Sequence, residues 1–157
     1  MGYTDSNWVG SVTDRKCTSG CCFNLGSAVI VWCSRKQTSA ALSTTKAKYI
    51  AACSTSSEAV WLSKLLSGLF DLELDATCIY CDNQSCIKLS ENPVFHDKSK
   101  HIEIKYQYIR DMVDKGAVKL QYVDTAEQVA DVLTKPLSKV KFEYFRDKLG
   151  VVLRKRE

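Results

Sequence analysis

The spacing of apolar residues predicts a chain in which strands and helices alternate. The run CCFNLGSAVIVWC (21–33) has two apolar stretches around a turn at 25–27, which predicts a β-hairpin. Residues 44 to about 68 predict the longest helix, because apolar positions recur there at helical spacing and Gly68 marks its end. We expect its core-facing stripe to consist of Ala47, Ile50, Trp61, Leu65 and Leu69.

Further segments continue the alternation along the rest of the chain. TCIYC (77–81) predicts a buried strand, NQSCIKL (83–89) a short helix and VKLQYV (118–123) another strand. Helices are also expected over about 102–115, ended by Gly116, over AEQVADVLTK (126–135), stopped by Pro136, and over SKVKFEYFRDKLG (138–150). With GYTDSNW (2–8) as a first strand, truncated at its start, this order predicts an α/β fold with a mixed sheet.

The composition is typical of one globular domain. At 157 residues and 45% apolar, the chain is long enough to bury a core without disulfides or metals. We assign residues 1–150 to this domain and 151–157 to a basic tail. Because the sequence has no run of 18 apolar residues and no signal-peptide pattern, we expect a soluble protein that makes no membrane contact. A net charge of +4 permits nucleic-acid binding without requiring it.

Eight cysteines raise the question of disulfides or a zinc site. Most of them lie inside apolar stretches, where a thiol packs as a small apolar group. The only C-x-x-C pair, Cys78 and Cys81, falls on one predicted strand, where residues three apart face opposite sides. We therefore expect reduced, core-packed thiols, and we also place Trp8, Trp32 and Trp61 in the core.

Three aspartates occupy positions typical of an α/β active site. Asp5 lies in the first strand, Asp82 directly follows TCIYC, and Asp131 lies in the helix after the last strand. Clustered carboxylates repel one another and favour a hard cation such as Mg²⁺, which prefers oxygen ligands. Aspartate also serves in turns and helix caps, so these residues alone leave both interpretations open.

Four stretches of the sequence resemble the ribonuclease H domain of copia-type retrotransposon polyproteins. They are GYTDSNWVG, DRKCTSG with STTKAKYIAAC, YCDNQSCIKLSENPVFHDKSKHIEIKYQYIR, and YVDTAEQVADVLTKPL, and they extend almost from end to end. The resemblance implies a ribonuclease H-like fold, with a five-stranded mixed sheet flanked by helices. It also implies cleavage of the RNA strand of RNA–DNA hybrids by four carboxylates that hold two Mg²⁺ or Mn²⁺ ions.

Carried over to this sequence, the resemblance implies that Asp5, Asp82 and Asp131 are metal ligands. The remaining acid of the family lies in a motif like STTEAEYIA, whose second glutamate aligns with Lys48 and whose first aligns with Lys46. The positive end of a helix dipole favours acids, so both lysines carry the opposite charge from the one expected. We predict that Lys48 weakens the metal site, or alternatively that its ammonium lies among the aspartates as an internal counter-ion.

The lysines at positions where the family has glutamates leave two possible functions. The first is a ribonuclease H-like domain of a reverse-transcribing element that is inactive or impaired, with Asp14 and Asp124 left open as substitute acids. Glu58 is excluded as a substitute because it lies about 15 Å further along the helix. The second is a non-catalytic module that binds nucleic acid or protein. An integrase-type transferase is excluded, because its final glutamate would fall in the predicted strand around GAVKLQ.

The expected partners are an RNA–DNA hybrid and the rest of the polyprotein, including its reverse transcriptase. Lys98, Lys100, Lys105 and Arg110 are expected to contact phosphates, or alternatively to form a solvated charged face. His96 and His101 lack partners for a zinc site, and we expect them to be solvated. We further expect a monomeric domain located in the cytoplasm, within a virus-like particle, or in the nucleus.

Overall fold

The computed structural model describes residues 1–7, 16–91 and 100–152, without the side chains of 100–106. The strands are β1 (Gly2–Asn7), β2 (Thr18–Leu25), β3 (Ala28–Lys36), β4 (Thr77–Cys81) and β5 (Val118–Tyr122). The helices are α1 (Thr44–Phe70), α2 (Gln84–Glu91), α3 (Lys100–Asp114) and α4 (Lys139–Lys148). Two 3-10 helices, Thr125–Glu127 and Val129–Leu133, lie between β5 and α4. The predictions for Trp8, Asp14, His96, Lys98, 153–157 and the side chains of Lys100, His101 and Lys105 lie outside the described residues.

The five strands form one mixed sheet, as the resemblance implied, and their order is β3-β2-β1-β4-β5. β1, β2 and β3 are joined antiparallel, whereas β4 runs parallel to both β1 and β5. Neighbouring residues of β2 point to opposite faces of this sheet. Phe23 packs in a cluster with Ala59 and Leu62 of α1, and Cys22 packs with Phe145 of α4. Helices therefore cover both faces, and the sheet forms the centre of the core.

Helix α1 begins where the sequence predicted. The side chain of Ser43 accepts a hydrogen bond from the amide of Lys46 at 3.2 Å, which satisfies an otherwise unpaired donor in the first turn. The helix extends to Phe70, two residues past the predicted end at about 68, so Gly68 does not end it. Asp71, in the left-handed conformation with φ of 52°, is the residue that ends it.

The buried side of α1 lies in its first two thirds. Ala47 and Ile50 are buried as predicted, and the same stretch buries Tyr49, Ala52 and Ala59. The rest of the predicted stripe was wrong, as was the placement of Trp32 in the core. These large apolar side chains are 41–66% exposed: Trp32, Trp61, Leu65 and Leu69. Among the residues that the structure describes, no element covers the C-terminal turns of α1.

The segment 125–133 differs from the single helix predicted for it. It forms two 3-10 helices, because Gln128 between them is fully buried and ties the backbone to the sheet. Its side-chain amide donates to the carbonyl of Thr4 at 3.0 Å, and its side-chain oxygen accepts from the amide of Ala130 at 3.2 Å. These hydrogen bonds hold the second 3-10 helix against β1.

The eight cysteines are all thiols, as predicted, and six of them are buried. Cys53, Cys81 and Cys86 share one apolar cluster with Tyr49 and Ile109, so they pack as small core side chains. In the part of the chain that the structure describes, no helix is both long enough and apolar enough to cross a lipid bilayer.

A first prediction concerns these thiols. Since none is in a disulfide, adding dithiothreitol to the freshly purified protein should leave its melting temperature unchanged. Differential scanning calorimetry with and without the reductant measures this directly. A clear fall of the melting temperature on reduction would contradict the assignment.

Candidate functional site: a carboxylate cluster neutralised by lysines

Two predicted aspartates meet at the centre of the sheet. Tyr3 of β1 pairs with Tyr80 of β4 in parallel, and continuing this register by two residues brings Asp5 level with Asp82. The side chains of Asp5 and Asp82 are only 1% and 3% exposed. Two carboxylates so close together and so far from water require a compensating positive charge.

Lys48 supplies that charge from the first turns of α1. Its ammonium lies 2.9 Å from Oδ1 of Asp5 and donates a second hydrogen bond to Oδ1 of Asp82. Burial opposes the charged form of Lys48, but the two aspartates outweigh it and raise the pKa of the lysine above its ordinary value. Burial likewise opposes ionisation of Asp5, and Lys48 with the hydroxyl of Thr134 lowers the pKa of Asp5 below its ordinary value. The structure thus places Lys48 as an internal counter-ion.

The third predicted aspartate has its own cations. The side chain of Asp131, in the second 3-10 helix, is fully buried, with its oxygens 2.9 Å from Nζ of Lys135 and 3.3 Å from Nζ of Lys141. Burial and the nearby charge of Asp5 raise the pKa of Asp131, and Lys135 acts in the opposite direction. Asp131 therefore belongs to the same electrostatic cluster as Asp5.

Several residues that build the cluster were not singled out from the sequence. The hydroxyl of Thr134 donates to Oδ2 of Asp5 at 2.6 Å, and that of Thr125 donates to Oδ2 of Asp82 at 3.3 Å. The side-chain amide of Gln37 donates to the backbone carbonyl of Ala47 at 2.9 Å, which fixes the backbone beside Lys48. Their sequence signal was weak, because polar residues in loops and at strand ends are usually solvated.

Gly20 was also missed, although the cluster depends on it. It lies opposite Asp5 on β2. A β-carbon built on Gly20 would lie 2.7 Å from Cγ2 of Thr134, 2.9 Å from Cβ of Leu133 and 3.1 Å from the carbonyl oxygen of Ala130. Only glycine allows the second 3-10 helix to approach the sheet closely enough to place Asp131 and Thr134 beside Asp5.

Other candidate residues have different roles. Asp124 caps the first 3-10 helix by accepting a hydrogen bond from the backbone amide of Ala126 at 2.8 Å. Arg110 donates from Nε to the carbonyl of Leu89 at 3.3 Å and ties α3 to α2. Glu58 lines a groove beside β3, away from the cluster. Within the described ranges, no group of three or more acidic, cysteine or histidine side chains is arranged to hold a metal ion.

The chain is similar to segments of known polyproteins, although no protein-family model matches it. The retrovirus-related Pol polyprotein from transposon RE2 of Arabidopsis thaliana is 42% identical over 96% of this chain and 10% of the polyprotein. The retrovirus-related Pol polyprotein from transposon TNT 1-94 of Nicotiana tabacum is 41% identical over 96% of this chain and 11% of the polyprotein. The chain spans about a tenth of the length of these relatives.

The structure is also similar to solved ones. The crystal structure of LC11-RNase H1 in complex with an RNA/DNA hybrid matches with a TM-score of 0.59, over 85% of this chain and 91% of that chain. The two sequences are 12% identical, so the likeness concerns the fold.

A second prediction tests the counter-ion. Lys48→Met should destabilise the protein by about 3 kcal/mol at neutral pH, because it leaves two buried carboxylates without their cation. Since the pKa of Asp5 is lowered in the folded state, the contribution of the ion pair is present above the ordinary pKa of 3.8 and is lost as pH falls below it. The difference from the unchanged protein, measured by urea unfolding, should therefore shrink in acid.

Lys115→Met is the matched control for this change. Lys115 forms an ion pair with Asp111 at 2.7 Å, but both side chains are about half exposed or more. Its loss should cost less than about 1 kcal/mol. Equal losses for the two variants would contradict the role given to Lys48.

A third prediction tests the close approach at Gly20. Gly20→Ala should destabilise the protein by about 1–3 kcal/mol, because the added methyl group overlaps Thr134, Leu133 and Ala130. Gly68→Ala is the control, since a β-carbon there meets nothing within 4 Å and alanine favours the helix by up to about 1 kcal/mol. Thermal unfolding of both variants should show shifts of opposite sign, and equal shifts would refute the steric argument.

Proposed function

The chain is homologous to a segment of the retrovirus-related Pol polyproteins of plant transposons and has the ribonuclease H fold, and from that premise we propose that it is a ribonuclease H-like domain whose catalytic site is disabled by Lys48. The proposed element is of copia type. The substrate class proposed for its active form is an RNA–DNA hybrid, the ligand of one structural neighbour. The rest of the polyprotein is the proposed partner.

One observation carries this proposal. The ammonium of Lys48 contacts both Asp5 and Asp82, at the position where the resemblance implies a metal-binding glutamate. Replacing a carboxylate by an ammonium changes the local charge by two units. A divalent ion held by Asp5 and Asp82 would need carboxylate oxygens that Lys48 contacts in this chain.

The residues present do not fit the divalent ions that the fold family implies. A divalent cation about 4 Å from the ammonium would be repelled by several kcal/mol, even at an effective dielectric constant of about 20. A loss of only about 1.4 kcal/mol already weakens binding tenfold. Asp131, whose oxygens face Lys135 and Lys141, is a third carboxylate with its charge already neutralised. We therefore propose no hydrolytic step for the chain with Lys48 in place.

A fourth prediction tests the proposal by restoring the acid. Lys48→Glu should produce or raise cleavage of a labelled RNA–DNA hybrid by at least about tenfold, because it removes a charge that repels the metal and adds one that attracts it. The change also suits the positive end of the helix dipole of α1. Cleavage is measured separately with Mg²⁺ and with Mn²⁺.

Lys46→Glu is the matched control in the same helix. Successive residues of a helix are rotated by about 100°, so positions 46 and 48 point about 200° apart and only one of them faces the aspartates.

Calorimetric titration of the unchanged chain should show Mg²⁺ binding only beyond about millimolar concentration. Robust cleavage by the unchanged chain would refute the proposal. If the glutamate variant binds Mg²⁺ and a hybrid without cleaving it, a binding module would be favoured instead.

A further inference from the structure

Two cysteines face each other across the hairpin of β2 and β3. The register pairs Cys21 of β2 directly with Cys33 of β3, so their side chains lie on the same face of the sheet. Directly opposed residues of antiparallel strands have Cα atoms about 4.5 or 5.5 Å apart, depending on their hydrogen bonding. Both values fall within the range of about 4.4–6.8 Å that a disulfide spans. Backbone placement therefore allows a direct bond between the two sulfurs.

This pair is accessible from solvent. Both cysteines line a groove of about 400 Å³ between β3 and α1, together with Ile50, Thr55 and Glu58. Cys33 is partly exposed there, and Cys21 lies beside it on β2 with 9% of its surface exposed. The groove is large enough for a small peptide-like disulfide compound to reach Cys33.

We propose that Cys21 and Cys33 form a redox-modifiable dithiol site, which a low-molecular-weight disulfide such as oxidised glutathione converts into a cross-strand disulfide. The site is separate from the carboxylate cluster and does not depend on the proposed function. The site spans β2 and the edge strand β3, whereas Asp5 lies on β1 and Asp82 lies just beyond the end of β4.

The reaction proceeds by two thiol–disulfide exchanges. The thiolate of Cys33, the more exposed residue, attacks one sulfur of glutathione disulfide and expels one glutathione thiolate. Cys21 then loses its proton to solvent and attacks the sulfur of Cys33, which expels the second glutathione. In sum the two cysteines lose two protons and two electrons, and one glutathione disulfide becomes two glutathiones.

The environment of Cys21 keeps it from making the first of these attacks. Burial, together with the neighbouring Cys33, raises the pKa of Cys21 to about 11, so it is a thiol at neutral pH. A buried thiol of this kind reacts poorly with an external oxidant. It reacts more readily once the mixed disulfide on Cys33 has been placed beside it.

The other cysteines provide an internal comparison. Cys81 and Cys86 also lie close together, but both are fully buried beneath α1 and α3. Cys22 points to the opposite face, where it packs with Phe145. Cys78 is partly exposed, and its thiol donates to the side-chain oxygen of Gln121 at 3.0 Å. Cys21 and Cys33 both lie close to each other and line a groove that solvent can reach.

The experiment maps the disulfide in the full chain. The protein is incubated with oxidised glutathione, its remaining thiols are alkylated, and chymotrypsin is used to cut after Phe23 and Trp32. These cuts put Cys21 and Cys33 on separate peptides. Mass spectrometry without reduction should find the two peptides linked, and the link should disappear after treatment with dithiothreitol.

Single substitutions then assign the roles. Cys33→Ser should abolish the link, and Cys21→Ser should leave a stable glutathione adduct on Cys33. Cys22→Ser, on the other face of β2, should retain the link and is the matched control. The proposal is overturned if the unchanged chain gives no linked peptide, or if the link forms between Cys81 and Cys86 instead. Because the first result comes from the unchanged chain, it stands even if a variant fails to fold.

Discussion

The arrangement of the carboxylate cluster depends on the buried ion pairs of Lys48. Asp5 and Asp82 come from parallel neighbouring strands, and the core closes over them, so their charges must be balanced inside the protein. In this chain the side-chain ammonium of Lys48 neutralises these carboxylates. The consequence is a site that is complete without any bound ion, in contrast to a cluster of carboxylates that needs cations from solution.

Much of the fold could be predicted from local sequence signals. The strand TCIYC, the Ser43 cap and the hairpin at 25–27 depend on short-range physics, namely apolar runs, free amide groups and turn residues. The placement of Asp82 followed from the end of that strand. The proximity of Lys48 to the aspartates was one of two alternatives, because sequence alone does not give the path of a long side chain.

The errors arose where tertiary contacts override local pattern. Apolar spacing favoured a continuous stripe on α1, but Trp61 and Leu69 lie on turns that no described element covers. Residues 126–135 have a helical pattern, yet the buried amide of Gln128 divides them into two short 3-10 helices. Gly20 carried no local signal, since its role depends on a segment more than a hundred residues away.

The three lysines of the cluster have a consequence for how a polyanion would encounter this face. Asp5, Asp82 and Asp131 contribute three negative charges, and Lys48, Lys135 and Lys141 contribute three positive ones. The formal sum is zero. A phosphate chain approaching the cluster therefore does not meet the repulsion of bare carboxylates. Its orientation there would be decided by shape and by charges elsewhere on the surface.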